Sequence, residues 1–157
     1  MLWEGPYKLR DLLDRVGGAD PTMFRETLGL YVFSLTPWQQ EPTDLLYLGS
    51  AHATAYRDLR QRIGEQVACA LGFHGIVAGW GIGGIHLSEY CRANEIKPLD
   101  LYLGWLVLPT NDFCPVPAEQ ELFDRHYLKL SPLLLNRQRP AVCGRCKDIP
   151  EARKSQV

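Results

Sequence analysis

No apolar run in the chain approaches the ~18 residues that a membrane span requires, and the start, Met1-Leu-Trp-Glu-Gly-Pro6, lacks the basic-then-apolar pattern of a secretory leader. These two absences lead us to expect a soluble, cytoplasmic protein with no membrane partner. An excess of charge is missing too. Seventeen Lys plus Arg stand against eighteen Asp plus Glu, a formal net charge of -1, so no global field announces a polyanion and any site for one must be local. Five cysteines, an odd number without an export signal, read as reduced thiols and not as a disulfide framework. There is no internal repeat and no low-complexity segment.

What is present is material for one core. The 157 residues, 46% hydrophobic and 22% charged with 4 Trp, 7 Tyr and 5 Phe, are about one domain's worth, which gives 1–157 as a single domain. A chain of this size buries roughly 68–70% of its unfolded surface and needs no covalent staple. Leu9, Leu12, Leu13 and Val16 recur at helical spacing before Gly17-Gly18, which predicts an N-terminal amphipathic helix with a glycine stop. The segment 28–35 is rich in β-branched and aromatic residues and predicts a strand. Leu45 to Gly49 is its partner across a loop bracketed by Pro37 and Pro42, so the pair reads as an antiparallel hairpin.

Tyr56, Leu59, Ile63, Val67 and Leu71 predict a long helix from about Thr54 to Leu71, although Gly64 lies inside it. Six glycines between Gly72 and Gly84 predict an irregular insertion or flap, followed by a short helix over His86 to Asn94. Leu99 to Leu108, apolar on both alternating faces apart from Asp100, reads as a central strand. Pro117 then opens a helix that carries Leu122, Phe123, His126, Tyr127 and Leu130 on one face and stops near Pro132. Beyond Asn136 the chain turns basic and loop-like.

Three pieces follow one another in order: Gly29-Leu-Tyr31 in the first strand, Tyr47-Leu-Gly49 in the second, and Asp58-Leu-Arg-Gln-Arg62-Ile63 in the next helix. Together they resemble the GIY-YIG nuclease family. The resemblance covers residues 28–136 and leaves 137–157 as a basic tail. It implies an α+β fold, a small three-stranded antiparallel sheet flanked by helices, here with an extra N-terminal helix and a Gly-rich insertion. It also implies a metal-dependent endonuclease that hydrolyses DNA phosphodiesters with Mg2+ or Mn2+. Carried over residue by residue, Tyr31 and Tyr47 would contact the attacking water or the phosphate, Arg62 would stabilise developing charge, Glu119 would be the single metal ligand, and Asn136 would be the closing asparagine. Gln66 stands one turn after Arg62, where many members have histidine, so proton transfer would fall to His52 or a tyrosine.

The residues give physical grounds for such a set. Phosphodiester hydrolysis needs an activated water, a cation for developing charge, and donors that hold the phosphate in line. Tyrosines on two paired strands can lie side by side on one surface. A free phenol titrates near pH ~10, so a tyrosine acting as base needs a metal or Arg62 to depress it. Leu59, Arg62 and Ile63 place Arg62 at the edge of the buried helix face, with Arg57 and Arg60 as nearby competitors. Among Glu119, Glu121 and Asp124, a turn of ~100° per residue sets Glu119 on the face of Leu122 and Phe123, with Glu121 almost opposite.

Other features carry weaker readings. Gly79-Trp-Gly-Ile-Gly-Gly84 reads as a substrate-gating loop, since it lacks the Lys-Ser/Thr of a phosphate loop. Cys143-Gly-Arg-Cys146 has the spacing of half a zinc site, which Cys114 or His126 would complete if the fold brought them close. Arg137, Arg139, Arg145, Lys147, Arg153 and Lys154 form a local basic stretch suited to a phosphate backbone. Two alternatives to the nuclease stand beside it: a catalytically degenerate nucleic-acid-binding module of the same fold, and a protein-interaction adaptor, which the near-neutral charge prompts.

Overall fold

The structure, a computed structural model, describes residues 3–16, 28–51, 58–73, 82–108, 114–128, 134–136 and 139–141. Its elements run β1 (Glu4–Lys8), α1 (Leu9–Val16), β2 (Gly29–Ser34), β3 (Leu45–Ala51), α2 (Leu59–Ala70), α3 (Ile82–Ala93), a single 3-10 turn at Pro98–Asp100, β4 (Tyr102–Val107) and α4 (Val116–Leu128). The class is α+β, as the pattern predicted. Among the described residues no helix is long and apolar enough to cross a membrane.

Among the described residues the sheet has four strands, one more than the three expected, in the order β1-β4-β2-β3 with every pair antiparallel. The extra strand is β1, which contains Gly5-Pro6 and so carries no legible strand signal. A sheet edge tolerates it because the proline's missing N–H need not serve an inner ladder. The register with β4 slips between Glu4 and Tyr7. There Gly5 adopts φ +96°, and a Cβ on it would come within 2.8 Å of the Leu103 carbonyl oxygen, so glycine is required on both counts.

The hairpin of β2 and β3 forms as predicted, with Tyr31 opposite Gly49 and Phe33 opposite Tyr47. Strand side chains alternate between faces, and the two cores follow from that. Tyr31, Phe33, Leu103 and Trp105 pack under Leu9 and Leu12 of α1, Leu59 and Ile63 of α2 and Leu87 of α3. Val32, Leu45 and Leu48 pack on the other side with Trp38 and with Leu122 and Phe123 of α4. The result is a three-layer sandwich: α1, α2 and α3, then the sheet, then α4.

Two helix boundaries differ from expectation. The helix expected from Thr54 begins at Leu59, because Asp58 is extended (φ -75°, ψ 175°) and its side chain caps the Gln61 N–H at 2.7 Å; residues 52–57, with His52 and Arg57, lie outside the described residues. The second helix starts at Ile82 and not near His86, so Gly83 and Gly84 are helical and do not belong to a flap. Their composition reads as a breaker, yet tertiary packing needs them: a Cβ on Gly84 would overlap the Gln66 carbonyl oxygen and one on Gly83 the Tyr47 ring. The rest of the glycine-rich loop, 74–81, lies outside the described residues. Gly64 is tolerated inside α2 because it faces open space.

Candidate active site

The two tyrosines meet because of the glycines in their own motifs. Tyr31 and Tyr47 occupy one face of β2 and β3 on a diagonal, with ring centroids 6.4 Å apart and planes inclined by 35°. Gly49, directly across from Tyr31, supplies the seat: a Cβ there would overlap the Tyr31 hydroxyl. Gly29 does the same work toward β4, where a Cβ would overlap the Leu106 carbonyl oxygen. Gly83 of α3 then closes on the Tyr47 ring from above.

Burial makes both phenols weak acids. Tyr31 is 0% exposed, and its hydroxyl faces the Tyr47 phenol. Its pKa is raised well above 10, by burial first and then by Tyr47, with Arg62 pulling it down and Glu119 and Glu65 pushing it up. Tyr47 is also raised, by burial and then by Glu119, against Arg62 and the Tyr31 hydroxyl. Of the two groups expected to depress a tyrosine base, a metal and Arg62, Arg62 lowers both phenols but is outweighed by burial. Burial and the neighbouring carboxylates therefore favour the neutral form of both phenols.

Arg62 projects from α2 at the margin of the buried face, with its Nη1 3.5 Å from Glu65 Oε2. Its field reaches Tyr31, Tyr47 and Glu119. Of the competitors, Arg60 is exposed and Arg57 lies outside the described residues.

Glu119, in the first turn of α4, is 9% exposed. Its Oε2 accepts a hydrogen bond from Ser50 Oγ at 2.5 Å. Burial raises its pKa from 4.5 to about 7, against the lowering effects of the Ser50 hydrogen bond and Arg62. Alternation puts Ser50 on the sheet face opposite Gly49, so Glu119 approaches the edge strand β3 from the α4 side while Arg62 approaches from the α2 side. The other two acids of α4 have different work. Glu121 is exposed and pairs with Arg125 at 2.9 Å, and Asp124 holds Arg139 through two contacts of 2.8 and 2.7 Å. Arg139 is thereby engaged within the fold and does not extend the basic stretch; Arg137, Arg145, Lys147, Arg153 and Lys154 lie outside the described residues.

Asn136 is brought to the same strand by a different route. Its Oδ1 accepts from the Leu48 N–H at 3.0 Å, and its Nδ2 donates to the Leu48 carbonyl at 2.9 Å. With the Leu135 N–H donating to the Leu46 carbonyl at 2.6 Å, the segment Leu134–Asn136 lines the outer edge of β3 as a neighbouring strand would. Asn136 thus fixes the backbone between Tyr47 and Gly49, which makes it a positioning residue. Gln66 is buried, and its Oε1 accepts from the Gly84 N–H at 2.6 Å, tying α2 to α3. Two participants were not anticipated: Glu65, and Ser50, whose signal was a lone hydroxyl in the otherwise apolar run Leu45–Ala51.

Among the described residues no group of three or more His, Cys, Asp or Glu side chains gathers to hold a metal ion. Cys69 and Cys91 are buried free thiols, whereas Cys114 is disulfide-bonded, which corrects the expectation that every cysteine is reduced; Cys143 and Cys146 lie outside the described residues. Glu119 alone fits Mg2+, which commonly takes one or two protein carboxylates and fills its octahedron with water and substrate phosphate. Ser50 engages Oε2, which leaves Oε1 as the second oxygen of that carboxylate. No known protein family, curated protein or solved structure matches the chain.

Proposed function

We propose that the chain is a metal-dependent endonuclease of the GIY-YIG type that hydrolyses DNA phosphodiester bonds. The observation that carries this reading is convergence: two phenols whose rings lie 6.4 Å apart on paired strands both feel the charges of Arg62 from α2 and Glu119 from α4, and Arg62 acts on Glu119 as well. Perturbed ionisable groups gathered in this way make a functional-site candidate.

In this reading Glu119 holds Mg2+ or Mn2+, which supplies Lewis-acid polarisation of the phosphate and a more acidic bound water. Arg62 places its fixed positive charge where the phosphoryl oxygens gain charge. Tyr47, the less enclosed phenol, orients the attacking water, and Tyr31 stands beside it as a neutral hydroxyl. Ser50 fixes one oxygen of Glu119, and Asn136 fixes the strand beneath Tyr47.

The test is incubation of purified protein with plasmid and single-stranded DNA in Mg2+, Mn2+ or EDTA. Cleavage with either metal and none in EDTA is the expected result; intact DNA under every divalent ion removes the proposal. A second reading, the degenerate binding module, draws on the complete burial of Tyr31, which shields that hydroxyl from substrate. Salt-dependent DNA binding without cleavage selects it.

A further inference from the structure

We infer, resting on the nuclease reading, that Glu65 is a positioning residue of the same site: it holds the Arg62 guanidinium beside the tyrosine pair, so that the cation is already aimed when a phosphodiester arrives. The hold itself is a property of the free protein.

The geometry of α2 places the two side chains for this. Arg62 Nη1 lies 3.5 Å from Glu65 Oε2, and the side chains are only 17% and 15% exposed. The pairs Arg125–Glu121 and Arg139–Asp124 of α4 stand open to water by comparison. Leu59, Ile63, Gln66 and Ala70 mark the buried face of α2. At ~100° per residue Arg62 stands at the margin of that face and Glu65 about 60° further out on the same side, so the carboxylate braces the guanidinium from behind. The footing of the brace is fixed, because the next residue, Gln66, accepts from the Gly84 N–H at 2.6 Å and ties this turn to α3. Glu65 also reaches inward: its charge acts on the Tyr31 hydroxyl and on the Cys69 thiol.

Stability does not account for an acid in this place. A base followed by its acid is the weaker order for an ion pair along a helix, and screening a carboxylate from water has a cost of its own. Its negative charge makes Tyr31 harder to ionise and opposes the approach of a phosphate. What Glu65 supplies in return is orientation. An arginine side chain turns about several bonds, and freedom lost on folding is freedom that need not be lost at the transition state.

The test compares the full chain with Glu65→Gln, which keeps the shape and an acceptor but drops the charge, and Glu65→Ala, which drops both. Heteronuclear NMR of DNA-free, metal-free protein reads the hold directly, with the Arg62 guanidinium signal assigned by its loss in Arg62→Ala. Guanidinium rotation should be slowest in the parent, faster in Glu65→Gln and fastest in Glu65→Ala. On a DNA duplex in Mg2+ the single-turnover rate should fall about 10-fold or more in Glu65→Ala and recover in part in Glu65→Gln, while DNA binding is unchanged or tighter in both. In an Arg62→Ala background, Glu65→Ala should cost nothing further, because Glu65 acts through the missing side chain. Equal guanidinium rotation in the parent and both variants, an undiminished rate in Glu65→Ala, or the same loss in the Arg62→Ala background overturns the inference. A parent protein that cuts no DNA removes the nuclease reading instead, and the NMR comparison then decides the hold alone.

Discussion

Glu119→Gln should make the protein more stable, and increasingly so as pH rises. A buried carboxyl whose pKa is raised from 4.5 to about 7 binds its proton more tightly folded than unfolded. Folding stability therefore falls as pH climbs between those values and levels off above the upper one. At about 1.4 kcal/mol per pH unit, the gap costs roughly 3 kcal/mol when the group is fully ionised. Glutamine keeps an acceptor for Ser50 Oγ, and the favourable Ser50 bond to the carboxylate is already contained in the value of about 7. The net expectation is a gain of about 3 kcal/mol at pH 8 and under about 1 kcal/mol at pH 5. For a chain of this size that corresponds to roughly 6–12 °C in Tm at pH 8. The assay is urea and thermal unfolding of both proteins from pH 5 to pH 8 in EDTA, followed by tryptophan fluorescence. Parallel pH profiles, or a variant no more stable than the parent at pH 8, would refute the reasoning. Mg2+ at pH 7 should stabilise the parent and release protons, and should do neither to the variant.

Three further outcomes follow from particular contacts. Tyr31→Phe removes a fully buried hydroxyl whose neighbour is the Tyr47 phenol, so thermal unfolding should shift stability by no more than about 1 kcal/mol, while DNA cleavage falls. Gly64→Ala, in open space within α2, should add about 0.5–1 kcal/mol by urea unfolding. Asn136→Ala strips both side-chain bonds from the Leu48 backbone and should cost about 1–3 kcal/mol; faster amide exchange at Leu48 than at Val32 would locate the loss on β3.

Periodicity made the hairpin, α2, β4 and α4 legible, because in each the buried face is continuous and the local pattern agrees with the global fold. It failed where tertiary contact overrides composition. Gly83 and Gly84 look like breakers in sequence, but they are what lets α3 rest against Tyr47 and Gln66. β1 was hidden by Pro6, whose cost vanishes at a sheet edge. At the site, helical phase was enough to separate the buried Glu119 from the exposed Glu121. It could not show that burial would raise the tyrosines, that Ser50 would engage the carboxylate, or that the Asn136 amide would be taken up by a strand edge. Those depend on what lies opposite each residue in space, which one chain read in order does not state.

The central claim is that Arg62 and Glu119 act together on one scissile phosphate, and a double-mutant cycle on cleavage tests it most directly. Single-turnover rates on a DNA substrate in Mg2+ should drop by about 100-fold or more for Arg62→Ala and for Glu119→Gln, with the double variant little worse than either, because groups acting on one transition state are not additive. Wild-type rates in both single variants, or no hydrolysis by the parent protein, would contradict the account.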